Sequence, residues 1–261
     1  MEKKNIIKIL IVSLAIVGIL YLIIDQFKKV GTTNGDIDYY DISAELKVQA
    51  DSLSTSWDKS SYSAFCSILS DIDIAQAMNG IDESSSSDVQ SKAAQVFSES
   101  AGSYFKKSKW VDSDLSQIKH IANYLHNKTI LNYIDVFYSA RSIIASSKSC
   151  SSTSAVENCI SKAESYNKAP WTNCTEIKDG LAQVRKNALD SYTTRCLIPL
   201  CNKLINYKTY YTYFDEFEKD YESVKAGKSF LDGKTYSSAS FNSKYASISY
   251  NNAANDLDPR F

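Results

Sequence analysis

Apolar residues return every three or four positions through the middle of the chain, at Leu115, Ile118, Ala122, Leu125, Ile130, Ile134, Phe137, Ala140 and Ile144. That spacing keeps one face of a 3.6-residue helix apolar for about eight turns. Asp112, Ser113 and Asp114 stand just ahead of it with capping chemistry. The pattern predicts one long helix, or two in line with a break near His126 to Thr129. A second long stripe runs through Ile177, Leu181, Val184, Ala188, Tyr192, Cys196, Leu200 and Leu204. It predicts a helix over 175–207, kinked where Pro199 removes a backbone donor and crowds the preceding turn.

Shorter stripes fill in the rest. Trp57, Phe65, Ile68, Leu69, Ile72 and Ala75 share a helical face ahead of Gly80, and further helices are expected over 39–48, 89–105 and 155–166. The acidic, aromatic stretch after Tyr210 continues as a last helix. From Gly227 to Phe261 the chain is rich in Ser, Asn and Tyr without a clear period. It is therefore expected to be an extended or disordered tail whose removal leaves stability unchanged.

A different pattern opens the chain. Ile6 to Ile24 is apolar except for Lys8, and roughly nineteen helical residues reach about 28 Å, close to the thickness of a bilayer core. Lys8 lies near one end, where its stem can carry the charge to the headgroups. The run exceeds a signal peptide's apolar region, and no small-residue cleavage site follows it. The expectation is an uncleaved anchor in residues 1–29, a polar linker at 30–36, a helical bundle at 37–226 and the tail at 227–261. Lys3, Lys4 and Lys8 ahead of the run, against Lys28 and Lys29 after it, favour a cytoplasmic N-terminus. The large domain then lies on the periplasmic, extracellular or virion-surface side.

Composition sharpens this picture. Eight Gly and three Pro are too few for the turns of an all-β fold, so the class is all-α. Five lysines against Glu2 and Asp25 make residues 1–29 net +3, which leaves the body net −4 within a chain of net −1. An acidic body is a poor partner for nucleic acid, where affinity rests on phosphate neutralisation. The six cysteines, Cys66, Cys150, Cys159, Cys174, Cys196 and Cys201, all follow the anchor. An even number in a translocated domain reads as disulfides, with fifteen possible connectivities. Zinc spacing and a C-x-x-C redox motif are both missing. Cys196 and Cys201, five apart on a helix, point about 140° away from each other and are expected to bond different partners. Cys150 and Cys159 flank a tight turn and form the expected local pair.

Other candidate chemistry is sparse. Asn34, Asp36, Asp38 and Glu45 fall at calcium-loop positions, but Tyr39 stands where that loop needs glycine. His120 and His126 are six residues apart on one expected helix and do not face a common ligand. Asp215, Glu216, Glu218, Asp220 and Glu222 read as one wet helix face. Sequons at Asn127 and Asn173 are no more than chance supplies in so Ser/Thr-rich a chain. No phosphate loop, nucleophile elbow, zincin helix or dinucleotide fingerprint is present, and no cofactor is expected. The sequence thus points to an anchored helical protein with a binding or structural role at a cell envelope or virion surface. Its expected partners are the bilayer, through Ile6 to Ile24, and a protein on the far side. The alternative is an anchored hydrolase whose site is assembled from scattered residues.

The anchor makes a direct prediction. The protein should stay with membranes through carbonate and high-salt washing, with its mature N-terminus at Met1 or Glu2. A mature N-terminus near Gly31 would instead show a cleaved signal.

Overall fold

A computed structural model of the chain describes residues 42–78, 80–166 and 173–257. Among them the regular elements are helices, with no strand. The expected anchor at Ile6 to Ile24 and linker at 30–36 lie outside the described residues. Among those described, no helix is long and apolar enough to cross a membrane. Contacts divide the chain into two units, the described parts of Met1–Asp51 with Ile68–Gln90, and of Ser52–Ser67 with Ser91–Phe261.

In the first unit, α1 (Ser43–Ser52) begins after Ile42, whose amide donates to the Gly80 carbonyl at 3.2 Å. The C-terminal part of α2 (Ser61–Ala77) and the first turns of α3 (Glu83–Phe105) complete it. Leu46, Ala50, Ile68, Leu69, Ile72, Ala75 and Val89 are buried here. Asp82 starts α3 by accepting the Ser85 amide at 2.8 Å, and the Ser85 hydroxyl followed by that amide holds its carboxyl below the usual range.

The second unit begins at Trp57. Asp58 accepts the amides of Ser60 and Ser61 at 2.7 and 3.0 Å and so starts α2. The Trp57 ring lies parallel to Phe65, and Phe97 of α3 meets both edge-on, so the aromatic positions of the sequence stripe form one buried cluster. Beyond α3, Trp110 stacks on Phe137 with centroids 5.0 Å apart.

The long central stripe is broken where the sequence suggested, but its halves are not in line. α4 (Asp112–Tyr124) ends at His126, which takes a left-handed φ of 51°, and Asn127 caps α5 (Lys128–Ser147) by accepting the Ile130 amide at 3.1 Å. Arg141 of α5 pairs with Asp112 and Lys119 of α4 pairs with Asp135, each at 2.7 Å. Partners 29 and 16 residues apart nest only when the chain folds back, so α4 and α5 form an antiparallel hairpin. α6 (Thr153–Tyr166) and α7 (Thr175–Tyr192) then pack against α5 and each other.

The expected kink at Pro199 takes a specific form. α7 passes into a π-helical turn, Thr193–Leu197, before α8 (Ile198–Ile205). The wider turn gives the backbone room ahead of the proline ring, and the Ile198 amide reaches back to the Thr193 carbonyl. Its extra residue changes which positions face inward around the proline, while Leu204 stays buried as expected. The sequence placed Cys196 and Leu200 in the core, whereas Leu197 and Cys201 are buried at 1% and 0% exposure. Cys196 and Leu200 are only half-buried.

The largest correction concerns the tail. Residues 227–257 are not extended. α9 (Tyr207–Tyr210) leads to α10 (Phe214–Gly233), followed by α11 (Ala239–Ala246) and α12 (Tyr250–Leu257). Gly227 signals no helix end. It is buried inside α10, and a Cβ there would lie 2.4 Å from Leu197 Cδ2 and 3.1 Å from the Tyr192 hydroxyl. The missing side chain is what lets α10 approach the π turn. Thr235, with φ 54°, then turns the chain, and Phe241 and Ala253 are fully buried. Tyr236 bonds Asp190, Arg185 donates to the Lys234 carbonyl at 2.7 Å, and Lys244 to Asn202 at 2.7 Å. One buried residue per short helix, with Ser and Asn filling the outer faces, is too sparse a stripe to show as a period.

This packing predicts that Gly227→Val destabilises the protein by about 1–3 kcal/mol, the usual cost of forcing extra volume into a filled contact. The readout is the midpoint of denaturation. An unchanged midpoint would mean that α10 stands off the π turn.

Candidate functional site

The sequence-derived candidates are spread over several elements. His120, exposed on α4, meets the Tyr62 ring edge-on at 5.8 Å, with the Tyr62 hydroxyl 3.4 Å from its Nδ1. His126 is taken up in ending α4. Among the described residues no group of three or more His, Cys, Asp or Glu could hold a metal ion. Asn34, Asp36 and Asp38 lie outside the described residues. The Asn127 amide is engaged at both ends, since its Nδ2 also donates to Ser98 Oγ at 3.0 Å.

All six cysteines are described, and, against the expected disulfides, no two of them lie at bonding distance, because they sit on separate helices and turns with only one pair of sulfurs in contact. Cys66 is half-buried beside Tyr62, and burial pushes its thiol up. Cys174 precedes α7 and is fully buried. Cys196 points its Sγ at the Ser151 carbonyl, 3.1 Å away. Cys201 is buried in α8, and that burial pushes its thiol up to about 11. Among the described residues, the Cys150 and Cys159 sulfurs are in contact at 3.7 Å, too far apart for a bond.

The feature best suited to recognition is a face of rings and carboxylates built by α9, the first half of α10 and the start of α12. Phe217 is its buried centre. Tyr207, Tyr211, Phe214, Tyr221 and Tyr250 surround it with centroids 5.6–6.2 Å away, and Tyr250 also lies 4.7 Å from Tyr221. The helical repeat explains the gathering, since Phe214, Phe217 and Tyr221 recur at three- and four-residue intervals on one face of α10.

Three of the four phenols around Phe217 are tied to carboxylates. Tyr207 donates to Asp256 at 2.5 Å, Tyr211 to Asp220 at 2.8 Å and Tyr250 to Glu218 at 2.8 Å. The bonds to Asp256 and Glu218 raise the Tyr207 and Tyr250 phenols, and burial followed by the Asp220 bond raises Tyr211. Asp256 is lowered by the bonds from Lys208 and Tyr207. At neutral pH the three phenols are therefore held neutral, as hydrogen-bond donors. At the edge of this platform Tyr210 and Tyr213 are 58% and 62% exposed, among the most exposed large hydrophobic side chains described. Asp215, Glu216, Glu218 and Glu222 are exposed around it, as the wet-face reading expected, while Asp220 is half-buried.

The acidic run was legible in the sequence. Its bonds to Tyr211 and Tyr250 were not, because one depends on the turn that leads into α10 and the other on α12 folding back onto α10. No family model, curated protein or solved structure matches the chain.

Proposed function

We propose that this chain is a single-pass, membrane-anchored helical protein that binds a protein component on the extracytoplasmic side of a cell envelope or a virion surface. The apolar run from Ile6 to Ile24 supplies the anchor, and the even number of cysteines after it supports an oxidising compartment, in which thiols unbonded in this structure would be free to pair. The observation that carries the binding reading is the tyrosine face. Tyr210 and Tyr213 stand exposed beside a platform of rings locked by carboxylates. Tyrosine gives a large contact area for little loss of side-chain freedom, and it is enriched among residues that dominate interfaces. The negative charge of Asp215, Glu216, Glu218 and Glu222 favours a partner whose contact surface is basic.

The test compares the full chain with its Tyr210→Ala/Tyr213→Ala double variant in cross-linking capture from native membranes, followed by mass spectrometry. The wild type should enrich a defined component, and the variant should lose it by about tenfold or more. Because both rings are exposed, the variant's thermal midpoint should stay within about 1–2 °C of the wild type. Equal capture by the two proteins would remove the tyrosine face from the function.

A further inference from the structure

The turn between α5 and α6 brings two cysteines together in a setting that holds their backbone still. Cys150 follows the last turn of α5, and Cys159 lies within α6. Both are 3% exposed, and their sulfurs are 3.7 Å apart. A disulfide needs about 2.05 Å, so the sulfurs must close by roughly 1.7 Å. Rotation about two Cα–Cβ bonds can supply a movement of that size without shifting either helix.

The surroundings fix the backbone on the Cys150 side. Ser191 of α7 donates to the Cys150 carbonyl at 3.4 Å, and Cys196 of the π turn donates to the Ser151 carbonyl at 3.1 Å. Ser152 starts α6 by accepting the Ala155 amide at 3.2 Å. The turn is thus held from three directions, and Val156 and Cys159 are buried on the inner face of α6. Two thiols held in contact by a fixed backbone differ from a lone buried cysteine, because each is the other's reaction partner.

We propose that Cys150 and Cys159 form a redox-active dithiol that closes to an intramolecular disulfide by exchange with a small-molecule disulfide. One thiol, deprotonated, attacks the oxidant's S–S bond, giving a mixed disulfide and releasing the first small thiol. The other protein thiol then attacks the protein sulfur of that mixed disulfide. The Cys150–Cys159 bond forms, and the second small thiol leaves with the electron pair and takes up a proton. Two protein thiols are oxidised and one small disulfide is reduced to two thiols. Burial raises the Cys150 thiol to about 11, so at neutral pH Cys150 waits as a thiol and reacts when the turn opens locally. This names the specific cross-link within the disulfide reading above. It rests on that reading's oxidising compartment only for its occurrence in the cell.

The experiment uses the full chain in detergent micelles, reduced and then equilibrated with glutathione and glutathione disulfide in graded ratios. Free thiols are blocked and the linkages mapped by mass spectrometry under non-reducing conditions. The Cys150–Cys159 link should appear at a lower share of oxidant than any other, with a rise of roughly 5–10 °C in thermal midpoint. Cys150→Ser and Cys159→Ser should each lose the link and carry glutathione on the remaining cysteine of the pair. The mapping of the wild type needs neither variant. A different pair closing first, or Cys150 and Cys159 staying alkylatable at every ratio, would overturn the proposal. Closure in vitro with free thiols in protein taken from native membranes would leave the dithiol standing and reject the oxidising compartment.

Discussion

Pro199 falls inside what would otherwise be one helix from Thr175 onward, and the C-terminal half of the molecule follows from how the backbone accommodates it. A proline ring cannot sit against the carbonyl four residues earlier, and it offers no amide to the helix. The π turn at Thr193–Leu197 takes up the misfit with one extra residue. That residue rotates the following stripe, so that Leu197 and Cys201 enter the core. Leu197 then becomes the surface on which α10 closes at Gly227, where any Cβ would collide with it. Without the π turn, Leu197 would not face α10. Without Gly227, α10 could not come near enough to carry α11 and α12.

The tyrosine face is a consequence of the same contact. Phe217 and Tyr221 are presented by α10, Tyr207 and Tyr211 by the segment leaving α8, and Tyr250 by α12. They meet only because α10 turns back along α8 and α12 returns to α10. Phenol-to-carboxylate bonds then fix ring directions that packing alone would leave freer. Exposed ion pairs such as Lys186–Asp190 and Lys225–Glu222 add little to stability. The hydroxyl bonds matter more for orientation, since a donor held on a charged acceptor has a defined direction.

Much of the helical framework was legible in the sequence because burial follows a strict period there. Leu115, Ile118, Ile134, Phe137 and Ala140 are all fully buried, as the stripe required. Three features were not legible. The hairpin between α4 and α5 depends on His126 adopting a left-handed backbone, which a pattern of apolar positions does not encode. The exchange of Cys196 and Leu200 for Leu197 and Cys201 in the core depends on how the chain relieves Pro199, which the apolar pattern does not encode. The helices after Gly227 were hidden because glycine is used there for close approach rather than for ending a helix. Of the candidate site, the acidic run and the abundance of tyrosine could be read directly. Their assembly rests on contacts between residues up to 49 positions apart.

The tyrosine face exists only if the C-terminal residues form a folded platform and not a tail. Hydrogen exchange of the full chain, followed by peptide-level mass spectrometry, tests this directly. Amides across Phe217–Leu231 and Phe241–Tyr245 are predicted to exchange at least about 100-fold more slowly than in an unstructured chain. Exchange of those segments at the unstructured rate, while α5 and α7 stay protected, would contradict the account.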